Sequence, residues 1–429
     1  MSTSDLRISM FTWNVATLDP PENGILKDLV WIHTKEAPDM YIVGLQEVSS
    51  KPHEVIQSVI TDDPWTAAIS NEVCNRGYVL VSSCKLQGLL VLFYARMLHL
   101  PFLHNIYTAC TRTGLGGVWG NKGAVSIRLD CYGRSMCFVV VHLAAHTDQW
   151  EQRDKEYYEI VATQEYPLPN TPHILFHDYI FLLGDLNYRF EDLTTEAVKF
   201  LSAPNKLHVL REKDQLIKTI REGRAFDQFQ EGIIKFMPTY KFDLKQNNYD
   251  SSPKQRTPAW TDRILWRVNQ LQAWHPADTI LDLKQKTYTS HGDVLWSDHK
   301  PVWSEFTVQV SSDPLLPLVA FEPIESWQKS GFSTCAYTLA PETKTSSWDW
   351  IGLYKIGFQT VHRHYCTYEW AVEVSDDLHK RINCKVRFSG AYLPTDYEAK
   401  YVLCYYSKVV SCVLGVSNVF RIKPPDDKS

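Results

Sequence analysis

Apolar and polar positions follow two periods along the first three quarters of this chain. Residues 7–13 alternate apolar with polar, as a strand with one buried face does. Residues 40–45 and 180–183 are short apolar runs that also read as strands. Residues 78–83 and 88–96 predict adjacent strands with Lys85 and Gln87 in the turn, and residues 124–129 and 135–143 a second hairpin turning at Tyr132-Gly133. Residues 25–35, 149–163 and 207–222 carry helical spacing. The alternation of strands and helices predicts an α/β domain over residues 1–310. Residues 311–317, with two prolines among small polar residues, read as a linker. Residues 318–422 then show short strands about every ten residues and almost no helical period, which predicts an all-β sandwich, and 423–429 are left as a tail.

Composition narrows the function classes. At 429 residues the chain exceeds what one ordinary core organises, in keeping with two domains. A net charge of −5 argues against a protein that coats nucleic acid, and no nucleic-acid partner is expected. It leaves room for an anionic substrate, because a pocket needs only local positive charge. The ten cysteines are scattered without a CxxC pair, which reads as reduced thiols and argues against zinc. The longest apolar run, 88–95, has the length of a buried strand, and the first residues show no signal peptide, so any membrane contact is expected to be peripheral.

Five polar clusters fall at the ends of predicted strands: Thr12-Trp13-Asn14, Leu45-Gln46-Glu47, Val141-His142-Leu143, Gly184-Asp185-Leu186-Asn187 and Ser297-Asp298-His299. One polar strand end is ordinary, but five that use only Asn, Glu, Asp and His point to a cleft. Carboxylate and amide oxygens suit a hard ion such as Mg²⁺. A free Asp can orient or deprotonate water, and an amide and an imidazole can donate to phosphate oxygens. These are the parts of a phosphoester hydrolase that forms no covalent intermediate. Between residues 235 and 267, Lys235, Lys241, Lys245, Lys254, Arg256, Arg263 and Arg267 outnumber Asp243, Asp250 and Asp262, a local basic excess that suits a polyphosphorylated ligand.

The segment Leu183-Gly184-Asp185-Leu186-Asn187-Tyr188-Arg189 resembles the GDxNYR signature of the inositol polyphosphate 5-phosphatases. Residues 256–266, Arg-Thr-Pro-Ala-Trp-Thr-Asp-Arg-Ile-Leu-Trp, resemble the second signature of that family, and Ser297-Asp298-His299-Lys300-Pro301-Val302 the third. The resemblance implies a DNase-I-like four-layer sandwich, two mixed sheets flanked by helices. It implies that Asn14 and Glu47 hold Mg²⁺, that Asp185 activates the water, and that Asn187 and His299 stabilise the phosphoryl transition state. Asp262 or Asp298 is expected to orient His299 or support the ion, and His142 to contact the scissile phosphate or its leaving oxygen. Trp260 is expected to pack and hold the Asp262 loop. Tyr240, Lys241, Lys254 and Arg256 are expected to bind substrate, and so are Asn121 and Lys122, which resemble the 1-phosphate contact of the family. Ala124 in place of a second glycine and Phe242 in place of a tyrosine depart from the family pattern without removing a charge.

The glycine-rich stretch 113–119 carries Leu115, Val118 and Trp119, which are expected to meet the bilayer beside the 1-phosphate. Trp348-Asp349-Trp350-Ile351-Gly352-Leu353-Tyr354-Lys355, with 365–370, 386–388 and 401–406, is similar to the SKICH domain, an immunoglobulin-like β-sandwich that implies a protein partner and membrane targeting. The expectation is Mg²⁺-dependent removal of the 5-phosphate from PtdIns(4,5)P2 and PtdIns(3,4,5)P3, with soluble Ins(1,4,5)P3 and Ins(1,3,4,5)P4 as further candidates. The implied setting is the cytoplasm, with recruitment to endoplasmic reticulum and plasma-membrane ruffles. The alternatives are a nuclease of the same fold and an inactive phosphoinositide-binding scaffold.

Overall fold

The computed structural model describes residues 4–22, 24–31, 36–49, 63–114, 119–270, 281–310, 316–374 and 380–425. Two six-stranded mixed sheets form the first part. One runs in the order β11 (Leu283–Ser290), β12 (Val302–Val310), β1 (Ser4–Asn14), β2 (Met40–Gln46), β4 (Leu89–Arg96), β3 (Tyr78–Leu86). The other runs β5 (Leu103–Gly114), β6 (Trp119–Cys131), β7 (Arg134–His142), β8 (Tyr179–Asp185), β10 (Asp262–Val268), β9 (Gln230–Glu231). Within them β1 and β2 are parallel, and so are β7 and β8; the other pairs are antiparallel.

Period-two alternation sorts the side chains into layers. Ile8, Met10, Ile42, Val91 and Phe93 face Ile127, Phe138, Val140, Phe181 and Leu183 between the sheets. The alternate residues Phe11, Trp13, Tyr41 and Val43 pack outward with Leu29 and Ile69 of the helices Ile25–Trp31 and Pro64–Cys74. On the far side Cys137, Val139, Ile180 and Leu182 pack with Tyr157 and Ile160 of the helix Trp150–Thr163. The close approach of the sheets is visible at Gly44, where a Cβ would stand 2.8 Å from Val140 Cγ2.

Three expectations shift. Residues 207–222 are two helices, Leu207–Glu212 and Gln215–Arg221, because the Asp214 carboxylate accepts from Ile217 N at 2.9 Å and starts a new helix. Ser297-Asp298-His299 precedes β12 instead of ending a strand. The helix expected over 25–35 is seen over Ile25–Trp31, and residues 32–35 lie outside the described residues.

The second part is a β-sandwich. A three-stranded sheet, β13 (Val319–Phe321), β15 (Phe332–Leu339), β18 (Ile382–Ser389), faces a four-stranded one, β17 (Tyr365–Trp370), β16 (Trp350–Lys355), β19 (Tyr401–Ser407), β20 (Cys412–Val416). A parallel pair, β14 (Ser326–Gln328) and β21 (Arg421–Lys423), completes it. Cys335, Tyr337, Phe388, Ile351, Leu353, Leu403 and Tyr405 fill its interior. The other face of the four-stranded sheet carries Tyr354, Val402, Cys404 and Tyr406, which join the core of the first part near Val79, Leu100 and Leu103. Leu80 N donates to Gln359 O across this junction at 2.8 Å. No helix among the described residues is long and apolar enough to cross a membrane.

Candidate active site

Register brings the polar clusters to one end of both sheets. β1 and β2 are parallel and finish side by side, so Asn14 pairs in register with Gln46, next to Glu47. β7 and β8 do the same, and His142 pairs with Asp185. β10 starts antiparallel to β8 with Asp262 opposite Asp185, and β12 starts antiparallel to β1 with Val302 opposite Thr12, just after His299. Two glycines permit these contacts. A Cβ on Gly184 (φ 147°) would lie 2.0 Å from Val141 O, and one on Gly123 (φ 139°) 2.0 Å from Thr111 O. Glu47 and Asn187 hold positive φ of 55° and 58°, a strained region for residues with a Cβ that concentrates at functional sites.

Asp185 is the hub. The Asn14 amide nitrogen donates to Asp185 Oδ2 at 3.0 Å and to Glu47 Oε1 at 3.1 Å, so one amide ties the two sheets together. His142 Nε2 stands 3.3 Å from Asp185 Oδ2 and 3.9 Å from Glu47 Oε1, and Lys122 Nζ contacts the same His142 nitrogen. Burial pushes the Asp185 carboxyl up, but the hydrogen bond and charge of His142, with His299 and Lys122 behind it, hold it well below the usual carboxylate range. Asp185 is therefore ionised.

His299 belongs to a dyad with Asp262. Its Nδ1 lies 2.9 Å from Asp262 Oδ2, and the hydroxyls of Thr239 and Thr261 donate to the same carboxylate at 2.7 and 2.9 Å. The other candidate orienting carboxylate, Asp298, accepts from Lys241 Nζ at 2.6 Å. Burial lowers the basicity of His299, but Asp262, with smaller help from Asp185 and Asp298, outweighs it and pushes His299 up to about 9. The ring is an imidazolium at neutral pH. Trp13 Nε1 donates to His299 O at 3.0 Å and fixes the loop that carries it.

Asn187 N donates to Asp185 Oδ1 at 3.1 Å and its Nδ2 to Leu143 O at 3.1 Å, which leaves one amide hydrogen for a ligand. Arg189 bonds Asn187 Oδ1 and lies over the Tyr240 ring at 4.4 Å, while Tyr240 packs on the His299 ring at 4.7 Å. Beyond them opens a cleft of about 780 Å³, lined by His146, Arg189, Tyr240, Lys254, Arg256 and Thr257 among others. Arg153, buried, donates to Ala144 O and His146 O at 3.1 and 2.6 Å and holds the wall after β7.

Sequence-predicted residues divide accordingly. Asn14, Glu47, Lys122, His142, Asp185, Asn187, Asp262 and His299 form one cluster, and Tyr240, Lys254 and Arg256 share the cleft beside it. Asn121 is exposed, Leu115 and Val118 lie outside the described residues, and Trp119 opens β6. Trp260 is a packing residue: buried, with Nε1 donating to Phe236 O at 3.0 Å. Arg263 does not belong to the basic ligand face, because it is fully buried against Asp214 and Glu231. The roles of Arg189, His146 and the two threonines did not emerge from the sequence. Arg189 and Thr261 lie within the signatures, whereas Thr239 only adjoins Tyr240-Lys241.

The donor set fits a hard dication. The Asn14 amide hydrogens sit between two carboxylates, a place that favours positive charge, while its Oδ1 accepts from Ala16 N at 3.0 Å. Asp185, Asp262 and His299 also bring ligand atoms within 4.8 Å of one another. Asp262 Oδ2 already accepts from Thr239 and Thr261 and pairs with His299, so the Asn14–Glu47–Asp185 side is the better cradle.

A family model described as Endonuclease/Exonuclease/phosphatase family 2 matches residues 11–305, and one for the SKICH domain matches residues 319–422. The chain is similar to phosphatidylinositol 4,5-bisphosphate 5-phosphatase A of Mus musculus, 39% identical over 436 residues, covering 100% of this chain and 43% of that protein. It thus spans less than half the length of that relative. It is also similar to inositol polyphosphate 5-phosphatase K of Mus musculus, 36% identical over 425 residues, covering 97% of this chain and 90% of that one. Among solved structures it resembles the inositol polyphosphate 5-phosphatase domain of SPsynaptojanin in complex with inositol (1,4)-bisphosphate and calcium ion. The identity there is 31% and the TM-score 0.62, over 72% of this chain and 86% of that one.

Proposed function

This chain belongs to the inositol polyphosphate 5-phosphatases, and we propose that it hydrolyses the 5-phosphate of PtdIns(4,5)P2 and PtdIns(3,4,5)P3 in a Mg²⁺-dependent reaction. The observation that carries this reading is an ionised Asp185 beside an imidazolium His299 paired with Asp262, next to a cleft lined by Arg189, Lys254 and Arg256. Soluble Ins(1,4,5)P3 and Ins(1,3,4,5)P4 carry the same phosphate chemistry and are candidate substrates.

In the proposed reaction, Asp185 orients a water molecule and takes its proton as the oxygen attacks phosphorus. His299 donates to a phosphoryl oxygen, and the remaining Asn187 amide hydrogen to another, as charge builds there. The bond from phosphorus to the inositol oxygen breaks, and the inositol leaves as its alcohol with a proton delivered on the His142–Lys122 side. Asn14 and Glu47 are the residues that would hold Mg²⁺, which when bound draws negative charge off the phosphoryl oxygens. Lys254, Arg256 and Arg189 supply the positive wall for the neighbouring phosphates. We place the reaction at cytoplasmic membrane surfaces, endoplasmic reticulum and plasma-membrane ruffles, with the SKICH domain binding a protein partner.

The test is phosphate release from vesicles containing PtdIns(4,5)P2 and from Ins(1,4,5)P3, with Mg²⁺ and with a chelator. Release that needs Mg²⁺ and vanishes in Asp185→Asn is expected. Release indifferent to chelation, or nicking of plasmid DNA with no phosphate release, would overturn the reading.

A further inference from the structure

Far from the catalytic mouth, the β-sandwich carries a shelf of exposed aromatic rings. Trp348 is 66% exposed, Trp370 48%, and Tyr365 and Tyr368 39% each. Large rings this exposed and this close together mark an interaction surface. Register explains why they share a face. In the antiparallel pair of β16 and β17, Trp350 stands opposite Trp370, Gly352 opposite Tyr368 and Tyr354 opposite Tyr365. Gly352 lets the neighbouring rings close over the strand: a Cβ there would meet Trp350 Cζ3 at 2.5 Å and Tyr354 Cε2 at 2.7 Å. The rings meet edge to face, Trp350 with Tyr368 at 5.9 Å, Tyr365 with Tyr368 at 5.3 Å and Tyr368 with Trp370 at 5.4 Å. Trp350, His362, Tyr365, Tyr368 and Trp370 enclose a cavity of about 220 Å³.

The chemistry of the shelf is one-sided. It offers indole N–H groups and tyrosine hydroxyls that no described residue engages, and no carboxylate lines the cavity. Burial and the positive charges of Lys408 and Arg363 hold His362 below its usual range, so it adds a neutral ring. A matching ligand presents apolar rings and hydrogen-bond acceptors, with few donors and no positive charge. Proline has this character: an apolar ring, a carbonyl and no N–H. A polyproline helix keeps its carbonyls free of internal hydrogen bonds, and aromatic-lined grooves are the surfaces that take it.

We propose that the aromatic shelf on β16 and β17 is a docking site for a proline-rich segment of a partner protein, bound as a left-handed polyproline helix. This gives chemical content to the protein partner placed on the SKICH domain above, and it does not depend on the phosphatase reading. Two other occupants fit less well. A quaternary ammonium group would meet the positive charge of Lys408, which acts on His362 at the cavity wall. A bilayer would have to be met at the wrong end: the sandwich docks near Val79 and Leu103, the starts of β3 and β5, whereas the mouth lies at their finishes near Leu86 and Gly114. The run from Leu103 to Gly114 corresponds to roughly 35 Å of extended chain.

Titration of the full chain with decaproline, followed by tryptophan fluorescence and calorimetry, tests this. A Gly–Ser peptide of equal length is the control. Saturable binding of decaproline alone is expected, weakened at least about tenfold by Trp370→Ala and by Tyr368→Ala. Tyr368→Phe, which keeps the ring and removes the donor, should weaken it less. Melting temperature and turnover on Ins(1,4,5)P3 should stay unchanged in all three variants, which separates this idea from the reading of the catalytic site. The idea is sunk by no binding up to millimolar peptide, by equal binding of the Gly–Ser control, or by indifference to both alanine variants. Loss of vesicle binding in Trp370→Ala with peptide affinity intact would make the shelf a membrane surface instead.

Discussion

Asp185 illustrates how much one side chain is asked to do. It is buried, ionised and bonded by groups from both sheets, so Asp185→Asn keeps the shape and removes the proton acceptor. Turnover should fall by about 10²–10⁴ with the fold intact, measured on purified protein at saturating Mg²⁺. Asp262→Asn should also lower kcat, because it takes away the charge that keeps His299 cationic, while Asp298→Asn should act mainly through Lys241. Equal kcat losses in the two variants would show that the dyad has been misassigned. A second titrating group lies elsewhere in the core. His177 accepts from Arg128 Nε at 3.0 Å, and burial, with the Arg128 charge, pushes it down to about 3. Its contribution to stability is complete above the ordinary histidine value of about 6.5 and is lost progressively as pH falls towards 3. By pH 5 the loss should reach about 2 kcal/mol, and denaturant unfolding at pH 7 and pH 5 should show a smaller difference in His177→Asn.

At the scale of elements, strand order does the positioning. Parallel neighbours finish together and antiparallel neighbours start where these finish, so six separate segments deliver side chains to one edge. Patterning of apolar residues was enough to read most of these strands. It did not divide residues 207–222, because the signal is one buried acid, Asp214, whose carboxylate caps a helix and also pairs with Arg263 of β10. Both side chains are fully buried there. Asp214→Ala should cost about 3–5 kcal/mol in denaturant unfolding, since it strands part of a buried guanidinium charge and removes a cap. A loss below about 1 kcal/mol would mean that Glu231 alone satisfies Arg263.

On the scale of the whole molecule, the sandwich is docked on the phosphatase part by an apolar face. Tyr354, Val402 and Tyr406 share a core with Val79, Leu100 and Leu103, so the second part shields apolar surface of the first. A chain cut after Val310 should therefore melt at a lower temperature and aggregate more readily than the full chain, as read by thermal scans with light scattering. An unchanged melting temperature would show that the docking contributes nothing. The catalytic cluster is at the other end, and hydrolysis of Ins(1,4,5)P3 by the soluble fraction should persist. Membrane contact is proposed for Leu115, Val118 and Trp119: Leu115→Ser with Trp119→Ser should weaken hydrolysis of vesicle PtdIns(4,5)P2 and spare Ins(1,4,5)P3. Equal losses on both substrates would assign these residues to the fold or the inositol pocket.

The family, the two matched parts and the grouping of Asp185, Asn187 and His299 in a candidate site were legible in the linear chain, because signatures such as Gly184-Asp185-Leu186-Asn187 are local. Local sequence also carries the strand periods, since burial of one face leaves its mark every second residue. Tertiary structure decided what depends on which strands become neighbours. Asp262 and not Asp298 holds His299, because β10 starts opposite the end of β8. Lys122 contacts His142 because β6 pairs with β7 in the register Gly123 to His142. Arg263 leaves the basic face for a buried ion pair, and Thr239 meets Asp262 across 23 positions of chain. These contacts join residues far apart in sequence, and their energies arise only after folding has removed the water between them.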